Sequence, residues 1–194
     1  MSKIILTDVD GVLLDWEAHF TRWMAHKGYE PIPGYEHLYR MRERYGFEGE
    51  KGDELIERFN NSAWVGWMEP LRDAVDGVRE LADQGYRFHA VTSLSRDEYA
   101  RKLRITNLEN LFGDVFVEVD CLATGAPKTE ELYELSLKYP QGTWWLEDNV
   151  KNADDGIAVG FRSILVGHRF NQSYQGDAVR LDTWRDIADT ILKG

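Results

Sequence analysis

The stretch K-I-I-L-T-D-V-D-G-V-L-L-D, Lys3 to Asp15, decides how the rest of the chain is read. Lys3–Thr7 has the short apolar run of a buried strand, and it ends at an acidic turn, Asp8-Val9-Asp10-Gly11. A D-x-D-G match alone is a weak signal in a chain with 17 glycines. Its place between I-I-L and V-L-L, at the end of a first strand, makes it sharper.

Outward from that turn the pattern becomes helical. Trp16, Phe20, Trp23 and Met24 fall at i, i+4, i+7 and i+8, and Gly28 is the stop signal. A polar, glycine-rich, aromatic stretch follows, with helices expected near 36–45 and 53–60. Beyond Pro70 strands and helices alternate. Helices are expected at 73–84, 96–104, 127–138, 152–159 and 183–192, and strands at 87–91, 114–119, 143–146 and 163–166. Such alternation implies an α/β fold, a Rossmann-like parallel sheet covered by helices on both faces. The segment 15–70 interrupts the alternation just after the first strand, so it reads as an inserted helical cap. The division expected is a core of 1–14 and 71–194 with a cap of 15–70.

Composition bounds the partners. The 194 residues carry 23 Lys and Arg against 34 Asp and Glu, a net charge of −11. That balance argues against a nucleic-acid polymer or an anionic membrane as the main partner, since both need a cationic footprint. It leaves room for a small phosphorylated substrate, which responds to the local field of a site. No apolar run exceeds three residues, too short to span a bilayer. The first strand begins too early to leave space for a signal peptide, and a cytoplasmic location is expected. The single cysteine, Cys121, reads as a small core hydrophobe, and the five histidines show no metal-ligand spacing.

In open parallel sheets, ligands bind beyond the carboxyl ends of the strands. Three such ends carry suitable groups: Asp8 and Asp10 after the first strand, Thr92-Ser93 after the second, and Glu147-Asp148 after W-W-L, with Asn152 four residues on. Lys128 opens a helix between the last two. Thr92 alone carries no signal, Lys128 alone reads as a solvated helix residue, and Glu147-Asp148 alone reads as helix N-terminal charge. The order and spacing of all four is what counts.

That combination resembles the haloacid dehalogenase superfamily of phosphotransferases. Its D-x-D-G-x-x-x-D motif matches Asp8 to Asp15, its strand-end Thr or Ser matches Thr92, its lysine matches Lys128, and its acidic pair matches Glu147-Asp148 with Asn152. The resemblance covers the whole core and places the insert where this superfamily has a C1 cap. It implies that Asp8 is a nucleophile forming an aspartyl-phosphate, with Mg²⁺ held by Asp8, Asp148 and the backbone carbonyl of Asp10. It implies that Lys128, Thr92 and Ser93 bind the phosphoryl oxygens, and that the side chain of Asp10 protonates the leaving alkoxide and then deprotonates water. Dehalogenases of the superfamily lack that acid, so Asp10 favours a phosphatase. Two departures stand out: Glu147-Asp148 replaces the more usual Asp-Asp or Gly-Asp, and Asn152 replaces a later acid. Direct coordination is therefore assigned to Asp148, with an outer role for Glu147 and Asn152.

The segment 15–70 holds 11 of the chain's 24 aromatic residues. Most are expected to build the lobe's own small core, Trp16, Phe20 and Trp23 among them. Phe59, Trp64 and Trp67, in the irregular return to the core, are the candidates for a slot that holds a substrate ring, and Arg96 is a candidate for substrate phosphate. Arg40, Arg42 and Arg44 read as a solvated helix face able to attract an anion. The block from N-N-S-A-W-V-G-W-M-E-P-L-R-D-A-V to H-A-V-T-S, residues 60–93, with Asp8–Leu13 and the terminal Leu181–Leu192 segment, is similar to the 5′(3′)-deoxyribonucleotidase family, whose D-D-R-P element is not present. This resemblance implies a nucleoside monophosphate as substrate. The alternatives are a phosphatase of a sugar phosphate or another small metabolite, and a catalytically silent binding protein on the same fold.

Overall fold

The computed structural model describes residues 3–194. Six strands form one sheet in the order β3-β2-β1-β4-β5-β6. They are β1 (Lys3–Thr7), β2 (Tyr86–Thr92), β3 (Phe116–Cys121), β4 (Trp144–Glu147), β5 (Arg162–Val166) and β6 (Val179–Leu181), and every neighbouring pair is parallel. The fold is a Rossmann-like α/β sheet, as the alternation in the sequence predicts.

Period two operates within β1. Ile5 packs on one face with Phe88, Leu146 and Ile164, while Leu6 packs on the other with Val91, Leu132 and Trp145. Helices α4 (Ala74–Asp83), α5 (Glu98–Phe112), α6 (Thr129–Lys138), α7 (Val150–Ala158) and α8 (Trp184–Lys193) connect the strands or close the chain. The strand order turns around at β1: β2 and β3 lie on one side, β4 to β6 on the other. Thr7 pairs with Ala90 of β2 and Leu146 of β4, so three carboxyl ends meet at this switch point.

Segment 15–70 leaves and rejoins the sheet at one seam. Leu14 bridges Pro70 in antiparallel fashion, and the Asp15 N–H donates to the Glu69 carbonyl at 3.0 Å. Asp15 then caps α1 (Trp16–His26), its carboxylate accepting from the Ala18 N–H. Helices α2 (Met41–Arg44) and α3 (Lys51–Asn60) complete the segment with two 3₁₀ turns, Tyr35–His37 and Ala63–Gly66.

Some local expectations change. The helix expected at 36–45 is broken, because Leu38 and Arg40 are extended and the buried Arg44 guanidinium takes the Leu38 carbonyl that a continuous helix would use. α5 runs eight residues further than expected: Asp97 caps its start and Gly113 ends it. β6 was not anticipated, since three residues are too few to show a period.

Candidate active site

The meeting point of β1, β2 and β4 opens into a cavity of about 1020 Å³ between the sheet and segment 15–70. Asp8, Asp10, Thr92, Ser93, Lys128, Glu147, Asp148 and Asn152 all line it. The backbone explains this convergence. Parallel strands in register end side by side, and the first residues past each end face the same crevice.

Lys128 stands at the centre, 2% exposed, with its Nζ 2.7 Å from Asp8 Oδ2 and 2.8 Å from Glu147 Oε2. Burial opposes its charge, but Asp8 and Glu147 outweigh that and hold its pKa above the usual lysine value. The solvated helix residue that Lys128 resembles in isolation is thus a buried ammonium between two carboxylates.

Glu147 is fully buried and its acceptors are taken. Oε1 accepts the N–H groups of Asp148 and Asn149, each at 3.0 Å, and Oε2 accepts Lys128 and, at 3.2 Å, Asn152 Nδ2. Asp8 Oδ1 accepts the Val9 N–H at 2.6 Å. Carboxylate oxygens of Asp8, Glu147 and Asp148 lie within 4.8 Å of one another. Three carboxylates facing one ammonium leave excess negative charge in a desolvated place. Burial, followed by the Glu147 charge, raises the Asp8 pKa well above the ordinary range. Burial, followed by Asp8, pushes Asp148 up to about 7, and burial raises Glu147.

Gly11 makes room for this packing. Its φ of +76° suits glycine, and a Cβ there would sit 2.2 Å from Asp148 Oδ2. The Thr92 hydroxyl is buried without a hydrogen-bond partner among the described residues, while Ser93 Oγ donates to the Ala126 carbonyl at 2.8 Å. Asp10 is held from the side by Arg104 of α5, with Nη1 to Oδ1 at 2.6 Å and Nη2 to Oδ2 at 3.2 Å.

This arrangement suits a hard divalent cation, which takes oxygen ligands and offsets the surplus charge. Asp8 and Asp148 would hold it, whereas the four bonds to Glu147 mark it as the group that orients Lys128 and the Asp148 turn.

No family model matches the chain. An uncharacterized 32.4 kDa protein of the Gp30-rIII intergenic region of Enterobacteria phage T4 is 29% identical over 204 residues, 99% of this chain and 70% of that protein. The pyrophosphatase PpaX of Bacillus mycoides is 28% identical over 157 residues, 75% of this chain and 72% of that protein. Among solved structures, a haloacid dehalogenase-like family hydrolase from Streptococcus pneumoniae superimposes with a TM-score of 0.68 at 14% identity, covering 98% of each chain. The fold is that of the haloacid dehalogenase-like hydrolases. CbbY from Rhodobacter sphaeroides, solved in complex with phosphate, shares this fold with a TM-score of 0.63 at 20% identity over 96% of each chain.

The wall that segment 15–70 contributes to this fold differs from the sequence expectation. Phe59 is fully buried and packs edge-on against Trp16, Phe20 and Trp23, so it belongs to the segment's own core. Trp64 lies against His26, Trp67 is 76% exposed, and Arg96 is exposed; none of them lines the cavity. The return at 63–67 packs on α5 instead, with Gly66 against Leu103, which turns these rings away from the strand ends.

The aromatic residues that do face the cavity are Trp16, Tyr39 and Phe170. Tyr39 meets Phe170 at 5.1 Å, and Phe170 stacks on His168, whose Nε2–H donates to the Gly11 carbonyl at 2.7 Å. Desolvation of the hydroxyl, then the charge of Asp148, raises the Tyr39 pKa, although the side chain as a whole is half exposed. Arg40, Arg42 and Arg44 also line the cavity; Arg40 and Arg42 are exposed, as a solvated face requires, whereas Arg44 is buried against Glu17. A run of alternating arginines in a broken helix was the only signal for this wall. Arg104 had none, since nothing in sequence ties it to a residue 94 positions away.

One histidine does join acids elsewhere. His89 lies near Glu118 and Asp120, but its Nε2 is 2.6 Å from Asp120 and its Nδ1 is 3.0 Å from the Tyr139 hydroxyl. Both ring nitrogens are therefore engaged in hydrogen bonds. Cys121 is half-buried, and among the described residues no helix is long and apolar enough to cross a membrane.

Proposed function

We propose that the protein is a Mg²⁺-dependent phosphomonoesterase working through an aspartyl-phosphate on Asp8. The observation that carries this reading is the trio Asp8, Glu147 and Asp148 around the single buried ammonium of Lys128, beside the unpartnered hydroxyl of Thr92. These are the groups that an anionic phosphoryl centre and its counter-ion need together. Bound Mg²⁺ would offset the repulsion between Asp8 and the phosphate dianion.

In the first half-reaction Asp8 attacks phosphorus, the ester P–O bond breaks, and Asp10 gives its proton to the departing alkoxide. In the second, Asp10 takes a proton from water as that water attacks phosphorus, releasing inorganic phosphate and restoring Asp8. Lys128 and Thr92 stabilise the phosphoryl oxygens throughout. Ser93 stands beside them with its hydroxyl committed to Ala126. Segment 15–70 acts as a cap, excluding water from the alkoxide-leaving step.

For the substrate, the reading is a nucleoside monophosphate, its base against Tyr39 and Phe170 rather than Phe59, Trp64 or Trp67. A sugar phosphate is the second reading, favoured by the charged wall of Arg40, Arg42 and Asp53, which suits hydroxyl-rich ligands. Phosphate release from deoxynucleotides, ribonucleotides and sugar phosphates, with and without Mg²⁺, tests both. Mg²⁺-dependent release that disappears in Asp8→Asn is expected. No release from any of them would leave a binding protein.

A further inference from the structure

We propose that Arg104 is a positioning residue for Asp10, its guanidinium setting the plane of the carboxylate that serves the leaving group. This rests on the aspartyl-phosphate reading and adds a residue that lies outside the cavity.

Arg104 is fully buried on α5 and makes two bonds to Asp10, Nη1 to Oδ1 at 2.6 Å and Nη2 to Oδ2 at 3.2 Å. A planar fork on both oxygens defines the carboxylate's orientation, which a point charge would not. Asp10 is the only acid paired with Arg104 among the described residues, and Arg104 Nε has no partner there.

The turn does not need this pair for its shape. The Asp10–Leu14 bridge and the Gly11 N–H to Leu14 carbonyl bond, 2.9 Å, already hold the backbone. Nor does stability account for it, because buried ion pairs are often matched or bettered by apolar packing of the same volume. What the pair supplies is the direction of one side chain. The fork takes one lone pair on each oxygen and leaves the others. Asp10, which lines the cavity, keeps those lone pairs for a hydrogen bond to a substrate there.

The same helix grips the seam. Arg104 Nη2 lies 3.9 Å from Met68 Sδ, and Asn107 Nδ2 donates to the Met68 carbonyl at 3.1 Å. Met68 immediately precedes Glu69, whose carbonyl receives the Asp15 N–H. α5 therefore holds the Asp10 carboxylate and the return of segment 15–70 as one unit.

The experiment compares leaving groups. p-Nitrophenolate departs with little need of a proton, whereas an alkoxide requires one. Arg104→Met, with folding verified by circular dichroism and thermal melting, is expected to lower kcat on the best alkyl phosphomonoester by roughly 10²-fold with KM changed by less than about threefold. The pre-steady-state burst of p-nitrophenolate from p-nitrophenyl phosphate should fall by less than about fivefold, since that step gains little from the acid. Arg104→Lys should recover part of the alkyl rate, and Asp10→Asn/Arg104→Met should be no slower than Asp10→Asn alone. An equal loss on both substrates, or full alkyl activity in Arg104→Met, overturns the proposal. Wild-type alkyl activity in Asp10→Asn would instead overturn the role of Asp10 and leave Asp8 chemistry standing.

Discussion

The ends of β1, β2 and β4 bury charge, whereas segment 15–70 buries aromatic rings. At the strand ends, Asp8, Lys128 and Glu147 are each no more than 6% exposed and satisfy one another through short ion pairs. In the segment, Trp16, Phe20, Trp23 and Phe59 meet at 4.7–5.9 Å in stacked and edge-on pairs. A sheet with its own core can carry a costly polar cluster at one end. Segment 15–70 fills its small core with rings, Trp16 reaching the cavity as well; it buries one guanidinium, Arg44, against Glu17, and leaves Tyr39, Arg40 and Arg42 for the cavity wall. Richness in aromatic residues is therefore a poor guide to which of them meet a ligand.

Substitutions can break that contrast, and the largest effect should come at the strand ends. If Asp8 is the nucleophile, as proposed above, Asp8→Asn is expected to lower turnover by about 10⁴-fold or more in a phosphate-release assay. Gly11→Ala drives a methyl group into Asp148 and is expected to cost about 10²-fold in the same assay, since displacements near 1 Å have such effects. A fully active Gly11→Ala would mean that Asp148 can move without consequence.

In the segment the effect should fall on stability instead. Phe59→Ala is expected to destabilise the fold by about 3–5 kcal/mol in denaturant unfolding, as for other buried aromatic residues. Trp67→Ala, at an exposed position, should stay within about 0.5 kcal/mol. Comparable effects at the two positions would erase the distinction between inward and outward rings.

Smaller effects follow from pH. Asp148 titrates at about 7 in the folded, metal-free protein against an ordinary 3.8. Between those values the folded state retains a proton that the unfolded chain has lost, so stability from this group declines as pH rises through about 7. On the proposed function, Mg²⁺ would take the place of that proton. The rise in Tm on adding Mg²⁺ should accordingly be larger at about pH 8 than at about pH 5.

His19, at the seam, has the opposite sign and the smallest effect. Burial, then Arg22, lowers its pKa below 6.5, and its neutral Nε2 accepts the Glu69 N–H at 2.8 Å. Its contribution is present above about pH 6.5 and is lost as pH falls through the lowered value. His19→Gln should remove that acid-side loss, a Tm difference of about 1–2 °C by melting at acid and neutral pH.

Legibility in the sequence follows the same divide. Asp8, Thr92, Lys128 and Glu147-Asp148 stand out because strand ends are marked by local patterns, and a parallel sheet lines up those ends by register alone. Phe59 and Trp67 were indistinguishable in sequence, being aromatic residues eight positions apart near one helix end. Which faced inward depended on how the 63–67 return packs against α5. The wall formed by Tyr39 with Phe170, and the clamp of Arg104 on Asp10, join residues separated by 131 and 94 positions.

The acidic turn at 8–11, the strand–helix alternation after 70 and the interruption between were enough for the sequence by itself to determine a parallel α/β sheet and the strand ends that line its crevice. Hydrophobic period and turn chemistry are local, and they act before any long-range contact forms. Only the tertiary structure decided the rest: Glu147 with its acceptors filled, Asp10 in the fork of Arg104, and a cavity wall of Tyr39 and arginines rather than Phe59, Trp64 and Trp67. Those outcomes depend on which distant groups satisfy a buried charge or fill a space, and packing settles that across the whole fold.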